Sequence, residues 1–441
     1  MKLIDKCVVT TALLLPLPLL AADLSGWWRP LSEINAGNTA WVMTSAVLVL
    51  LMTVPGLALF YGGMVRKKNV LGTMMHSFVV AALVSVLWMI IGYSLAFTPG
   101  NSFIGGLDRF MLGGMGLDKT REMTTIVNGD GTVPESVFMF FQMTFAIIST
   151  AIVTGAFAER LKFSALLLFS GFWVTCVYAP ICHWVWGGGF MSDTQTPVLD
   201  FAGGTVVHIN AGVAGLVAAL VIGKRLGYGK DVMAPHNMVL TLTGAAMLWV
   251  GWFGFNAGSA GAADASAGMA MAVTQIAAAS AALTWMLCEK LAGHKPSALG
   301  MASGAVSGLV GITPAAGFVG PQAALVIGVL TAVAAYFAAV YLKRRFGYDD
   351  SLDAFGIHGF GGIVGSILTG LLFSNAIFGG EATIGSQLLA QIKDVAITIV
   401  YSVIMTYLIL KIVAIVCRGL RIDHDSEREG MDVSIHGERI E

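Results

Sequence analysis

Of the eight histidines in the chain, His208 and His358 are the two that fall well inside long apolar runs. An ionisable side chain at membrane depth generally faces a bundle interior and marks a pathway. A neutral imidazole both donates and accepts a hydrogen bond, so such a pair suits passage of a small polar molecule or relay of a proton. The plainer alternative is two imidazoles, each satisfied by a neighbouring carbonyl. Asp200 precedes the run holding His208, and Asp353 precedes the run holding His358. Each is placed to cap a helix, and capping alone accounts for a carboxylate there. Eight residues from Asp200 put His208 about 12 Å below one surface, and five from Asp353 put His358 about 7 Å below the other. Phe141 and Phe145 lie four apart, on one helix face. Trp184 and Trp186 end an apolar run, where tryptophan ordinarily anchors a helix among lipid headgroups. Converging rings would instead hold a small cation, and spacing alone leaves both readings open.

The elements that position these residues are eleven apolar runs, near 40–61, 72–97, 134–158, 164–187, 201–222, 236–257, 267–288, 297–316, 321–342, 353–375 and 393–417. They are too long for barrel strands, so the fold class is an all-α integral membrane protein with eleven transmembrane helices. Composition agrees. The hydrophobic fraction is 56% and charged residues are 12%, about half the soluble norm of roughly 25%. The 54 glycines fit closely packed membrane helices. A net charge of −1 gives no bulk basicity for nucleic acid.

Lys2 and Lys6, an apolar run from Val8 to Leu20, and Ala21-Ala22 read as a cleaved signal peptide over 1–22. The transporter domain then spans 23–417, with its N-terminus outside. Alternate loops should be cytoplasmic and rich in Lys and Arg. With that start, 18 of the 25 cations fall inside and 5 outside, two more being in the signal. The polar segment 418–441 is a cytoplasmic tail. Eleven helices divide into two five-helix units plus one. Two successive odd-numbered units are inverted relative to each other, as in many transporters with a midplane site. Phe60-Tyr61-Gly62-Gly63 and Phe255-Asn256-Ala257-Gly258 echo each other at the ends of the first and sixth helices, as His208 and His358 do in the fifth and tenth.

No zinc spacing, nucleophile elbow or phosphate loop appears, so an enzyme, a bound metal and a cofactor are not expected. Gly300 and Gly304 read as helix packing. Cys176, Cys182, Cys288 and Cys417 lie in or beside apolar runs as small packing residues.

The segment Asp200-Phe-Ala-Gly-Gly-Thr-Val-Val-His208-Ile-Asn-Ala-Gly212 resembles the signature of the ammonium transporter family (Amt/Mep/Rh). So do Gly56-Leu-Ala-Leu-Phe-Tyr-Gly-Gly63, Trp252-Phe-Gly-Phe-Asn-Ala-Gly-Ser259, Phe355-Gly-Ile-His358-Gly and the tail's Glu427-Arg-Glu-Gly-Met-Asp432. The resemblance is closest to the bacterial Amt branch and runs from about residue 35 to the tail. It implies a homotrimer in the cell inner membrane, with one pore per subunit. It also implies an outer ammonium site of Phe145, Trp186 and Ser259, with Asp200 nearby. Below would lie a stacked gate of Phe145 and Phe255, then His208 and His358 as paired pore histidines. PII-type signal proteins plug the cytoplasmic face in this family, which makes one a candidate partner. Two rival functions stay open: an ammonium sensor signalling through its tail and a partner, and a Rh-like gas channel for carbon dioxide.

Overall fold

The structure is a computed structural model that describes residues 28–29, 31–116, 120–121, 133–192 and 195–440. The signal peptide expected over 1–22 lies outside the described residues. Among the described residues, ten helices are long and apolar enough to cross a membrane: α1 Ala36–Met64, α2 Lys67–Phe97, α3 Glu135–Phe157, α4 Phe163–Trp186, α5 Gly204–Ile222, α6 Met238–Gly258, α7 Ala265–Leu291, α9 Pro321–Phe346, α10 Phe355–Leu372 and α11 Ile384–Val416. Between them α8, Ala298–Ile312, is apolar but only 15 residues long. It continues as turns through Phe318, so ten long helices and this shorter one are compatible with the eleven expected crossings. Two two-residue antiparallel ladders occupy the loops outside the bundle.

The halves echo each other in backbone as well as in sequence. The wider π-helical turn, often found at functional sites, opens α5 at Gly204–Ile209 and α10 at Phe355–Phe360. A second pair of such turns interrupts α4 at Val174–Tyr178 and α9 at Phe337–Leu342, whereas those of α1 at Met52–Leu57 and α2 at Trp88–Gly92 have no counterparts in α6 and α7, so the backbone echo is partial. Helices α5 and α10 start from opposite ends of the bundle. The first begins beside Trp186, at what we call the aromatic end. The second begins beside Ala156 and Arg160, at the tail end.

Their crossing depends on bare backbone. A Cβ on Gly212 of α5 would overlap Gly359 and the His358 carbonyl carbon of α10. Small residues let membrane helices approach this closely. The abundant glycine therefore brings together the two helices that carry the histidines.

At the tail end, charges are paired across loops. Glu159 meets Arg66 at 2.8 Å and Arg225 at 3.2 Å, and Arg225 also meets Asp349 at 2.8 Å. Burial alone would raise the Glu159 carboxyl, but Arg225 and Arg66 hold it below its ordinary value. A carboxyl depressed on folding stabilises the fold above its unfolded pKa, and that contribution is lost as pH falls through the folded value.

The tail is docked rather than free. Helices α12 (His424–Glu429) and α13 (Met431–His436) fold back beneath the bundle. The buried Glu427 carboxylate accepts from the Leu226 amide (2.7 Å) and pairs with Arg421 (2.7 Å). Asp432 accepts from the Leu71 and Gly72 amides at the start of α2, where a carboxylate is favoured by the open N–H groups. Met431 is fully buried. A Glu427→Ala change leaves Arg421 and an amide without their acceptor, costing about 2 kcal/mol of docking. Limited trypsinolysis should then cut after Arg421 and Arg428 well before the bundle is attacked. Unchanged cleavage rates would show that Glu427 does not hold the tail.

Candidate functional site

The site is built where α3, α4, α5, α6 and α10 converge. Helix α5 owes its start to Asp200, whose side chain accepts four backbone N–H bonds. Oδ1 takes Gly203 (3.0 Å) and Gly204 (2.5 Å), and Oδ2 takes Thr205 (2.9 Å) and Val206 (3.1 Å). These are the donors that a helix N-terminus leaves without internal partners. Gly203 turns the chain with φ at 109°, in the left-handed region that a side chain would strain. Asp200 is completely buried, and its own carbonyl accepts from Trp186 Nε1 at 2.8 Å. One residue thus ties the aromatic end of α4 to the first turn of α5.

On α10 the matching residue is Asp350, not Asp353. Asp350 accepts from the Ala354 and Phe355 amides at 3.1 and 2.8 Å. Asp353 has φ at 59° and turns its carboxylate away to Lys343. The expected five-residue offset is corrected to eight, equal to that from Asp200 to His208. Eight residues of helix correspond to about 12 Å, so both histidines reach similar depth from opposite ends.

There they meet. His208 Nδ1 and His358 Nδ1 are 3.2 Å apart, with ring centroids separated by 5.2 Å and planes inclined by 27°. One nitrogen donates and the other accepts, so a single proton serves this contact while both rings stay neutral. His208 Nε2 is buried and has no hydrogen-bond partner among the described residues. In either tautomer it remains available to a passing group as a donor or an acceptor. Trp252 stacks on His208 at 5.3 Å and 24°. Its Nε1 donates to Thr313 Oγ1, which in turn reaches Asn256.

Above the histidines, Phe145 and Phe255 stack face to face, with centroids 4.2 Å apart and planes inclined by 18°. Phe145 also meets Trp186 edge-on at 5.9 Å and Phe141 at 4.9 Å. Ser259 ends α6 and donates to the Phe255 carbonyl at 2.8 Å. Expected site residues are therefore joined in one chain of contacts, from Trp186 through Phe145, Phe255 and His208 to His358. Ser259 is attached to it through Phe255, and Asp200 through Trp186.

Several residues of this region were missed at the level of sequence. Trp252 stood within a quoted motif but had no role, and its place one turn before Phe255 was the available signal. Asp394 on α11 accepts from Thr205 Oγ1 and Thr398 Oγ1. It supports the first turn of α5 from behind, and nothing in its local sequence indicated that. His76 of α2 is a further histidine buried within a span, with neither ring nitrogen hydrogen-bonded among the described residues. No group of His, Cys, Asp and Glu suited to a metal ion occurs among the described residues.

Comparisons with known proteins agree with this architecture. A family model described as the Ammonium Transporter Family matches residues 40–440. An ammonium transporter of Bacillus subtilis (strain 168) is 49% identical over 418 residues, covering 92% of this chain and 98% of that protein. The crystal structure of Candida albicans Mep2 superposes with a TM-score of 0.81 at 32% identity, covering 90% of this chain and 88% of the other. A solved structure described as a sensor Amt protein gives a TM-score of 0.82 at 27% identity, covering 90% and 98%.

Proposed function

This chain belongs to the ammonium transporter family, and we propose that it conducts ammonia through a hydrophobic pore lined by the twin histidines after ammonium gives up a proton at the aromatic end. Ammonium transport as such follows from the family. The route through the molecule is our reading, and the observation that carries it is the His208–His358 contact beneath the Phe145–Phe255 stack.

Energetics favour removing the proton first. Taking a bare cation into an apolar passage costs, on an idealised scale, tens of kcal/mol. If ammonium has a pKa comparable to that of a lysine amine, ~10.4, deprotonation near pH 7 costs roughly 4–5 kcal/mol. Potassium has no proton to lose and would be rejected by the same passage.

Phe145, Trp186 and the Ser259 hydroxyl would recruit the cation, with ring faces supplying cation–π attraction. The Phe145–Phe255 stack, with both rings buried, closes the way to hydrated ions. Ammonia passing it would meet His208 Nε2, and the Nδ1–Nδ1 contact offers a path for the released proton, making transport electrogenic. Asp200 holds this geometry through α5 rather than binding the cation, because both of its oxygens are already engaged by backbone amides.

The chain would sit in the cytoplasmic membrane with the aromatic end outside and the tail inside, as a homotrimer. A PII-type partner would meet the cytoplasmic loops. The sensor reading is less well supported, since Glu427 and Asp432 commit the tail to the chain's own loops.

The test is current in proteoliposomes under an ammonium gradient, with carbon dioxide permeability measured alongside. Ammonium should evoke current and carbon dioxide flux should match protein-free vesicles. A Trp186→Leu, Ser259→Ala double variant should raise the half-saturating ammonium concentration about tenfold, the scale of a desolvated cation–π contact. An unchanged half-saturation would remove recruitment from these side chains.

A further inference from the structure

The transport route leaves one buried histidine unused. His76 of α2 is fully buried, and neither of its ring nitrogens has a hydrogen-bond partner among the described residues. A neutral imidazole carries one donor and one acceptor, and leaving them unmade in a closed site costs stability. A ring retained there at such a cost points to a use.

The tail supplies its neighbour. Gly72 precedes His76 by one turn, on the same face of α2. The three atoms nearest to a Cβ placed on Gly72 all belong to the tail: Met431 Cβ at 3.1 Å, and Asp432 Oδ1 and Met431 Cε at 3.4 Å. His436 follows Asp432 by one turn of α13. A one-turn step along each helix therefore leads from the Gly72–Asp432 contact to His76 and His436. Among the described residues, His436 is the group whose charge would reach His76. Its Nε2 is also buried without a partner, and its ring stands edge-on to Phe163 of α4 with centroids 5.3 Å apart.

The charged groups around this contact are engaged elsewhere. On α2, Lys68 Nζ donates to the Glu427 carbonyl at 3.0 Å and to that of Arg428. Before α4, Lys162 Nζ donates to the carbonyls of Cys417 and Arg418 at 3.2 and 3.0 Å. On the tail, Asp432 takes the Leu71 and Gly72 amides, and Glu427 takes Leu226 and Arg421. None of these carboxylates is bonded to the three unpartnered ring nitrogens.

We propose that His76 and His436 form a proton-operated latch between tail and bundle, closed while both rings are neutral and opened by acid on the tail side. An imidazolium buried without a counter-charge is costly, and two of them would repel. Because tail atoms cover this face of α2, releasing the tail opens His76 to water, where a histidine takes up its proton near pH ~6.5. Docking is then fully present above that pH and weakens as pH falls below it. The latch is independent of the transport route.

The test is hydrogen exchange on the full chain in detergent, corrected for the intrinsic pH dependence of exchange. It compares pH 7.5 with pH 5.5, one unit either side of the ordinary histidine value of about 6.5. Protection of the amides of 431–436 should fall about tenfold, the effect of one histidine gaining its proton in water over that interval, while α3 keeps its protection. A His76→Gln, His436→Phe double variant removes both titrating rings and keeps a ring against Phe163. Its tail should be equally protected at the two pH values. If that variant leaves the tail undocked at pH 7.5, His76→Gln alone, with a native tail, carries the comparison and should lose most of the fall. Equal tail protection at both pH values in the wild type overturns the latch. A tenfold fall that persists in the docked variants overturns it too, because the proton is then taken up elsewhere.

Discussion

Replacing both His208 and His358 by leucine is expected to cut the ammonium-evoked current at least about 100-fold, the lower end of what positioned proton-transfer groups contribute. Leucine roughly preserves volume and apolarity, so the passage should stay closed to hydrated ions. What disappears is the 3.2 Å Nδ1–Nδ1 contact and the free Nε2 of His208. Ammonia would then cross without a hydrogen-bonding partner, and the proton would have no path beside it. Either single leucine variant also breaks the contact, so each should lose most of the current. Phe145 and Phe255 still stack in every case, and potassium should therefore remain excluded. Measuring current and passive ammonia flux on the same vesicles separates the two roles. Lost current with retained ammonia flux marks a proton relay, and loss of both marks a guide for ammonia. Undiminished current in the double variant would sink the proposed route.

What could be read from sequence was whatever is local or periodic. Apolar runs located the helices, and the placement of charges between them suggested an orientation. The π-helical openings of α5 and α10 were not legible, because nothing in Gly204–Ile209 or Phe355–Phe360 differs in pattern from an ordinary helical turn. The same limit explains the wrong capping residue on α10. Adjacency favoured Asp353, yet its φ of 59° directs the side chain away, and Asp350 reaches forward over a turn to the open amides. The cap at Asp200 was read correctly by the same rule because no second aspartate competed there. Tertiary partners were beyond reach in principle. Thr205 and Asp394 are 189 residues apart, and Leu226 and Glu427 are 201 apart. The tail read as a polar extension since its acidic residues are spaced like any solvated segment. Only the open amides of Leu71 and Gly72 make Asp432 a structural residue.

Asp200→Ala is expected to lose the folded transporter rather than merely weaken substrate capture. The substitution leaves four amides, those of Gly203 to Val206, without acceptors at a site closed to water. At about 1 kcal/mol for each lost bond, the cost is at least about 4 kcal/mol, a large part of a typical stability of roughly 5–15 kcal/mol. Asp200→Asn is the second variant, informative in a different way. The new amide oxygen can still accept from one pair of N–H groups, but the amide nitrogen would face the other pair, donor against donor. Intermediate stability follows, with enough protein to assay. If Asp200 acts through α5, the surviving Asp200→Asn variant should show a near-normal half-saturating ammonium concentration and a reduced maximal current, because His208 is carried on a loosened helix. An electrostatic recruiting role predicts the reverse, a raised half-saturation with thermal stability intact. The geometry selects the first outcome, since an oxygen already accepting two amide protons has little left for a cation. An Asp200→Ala protein that melts at the wild-type temperature would refute the capping role directly.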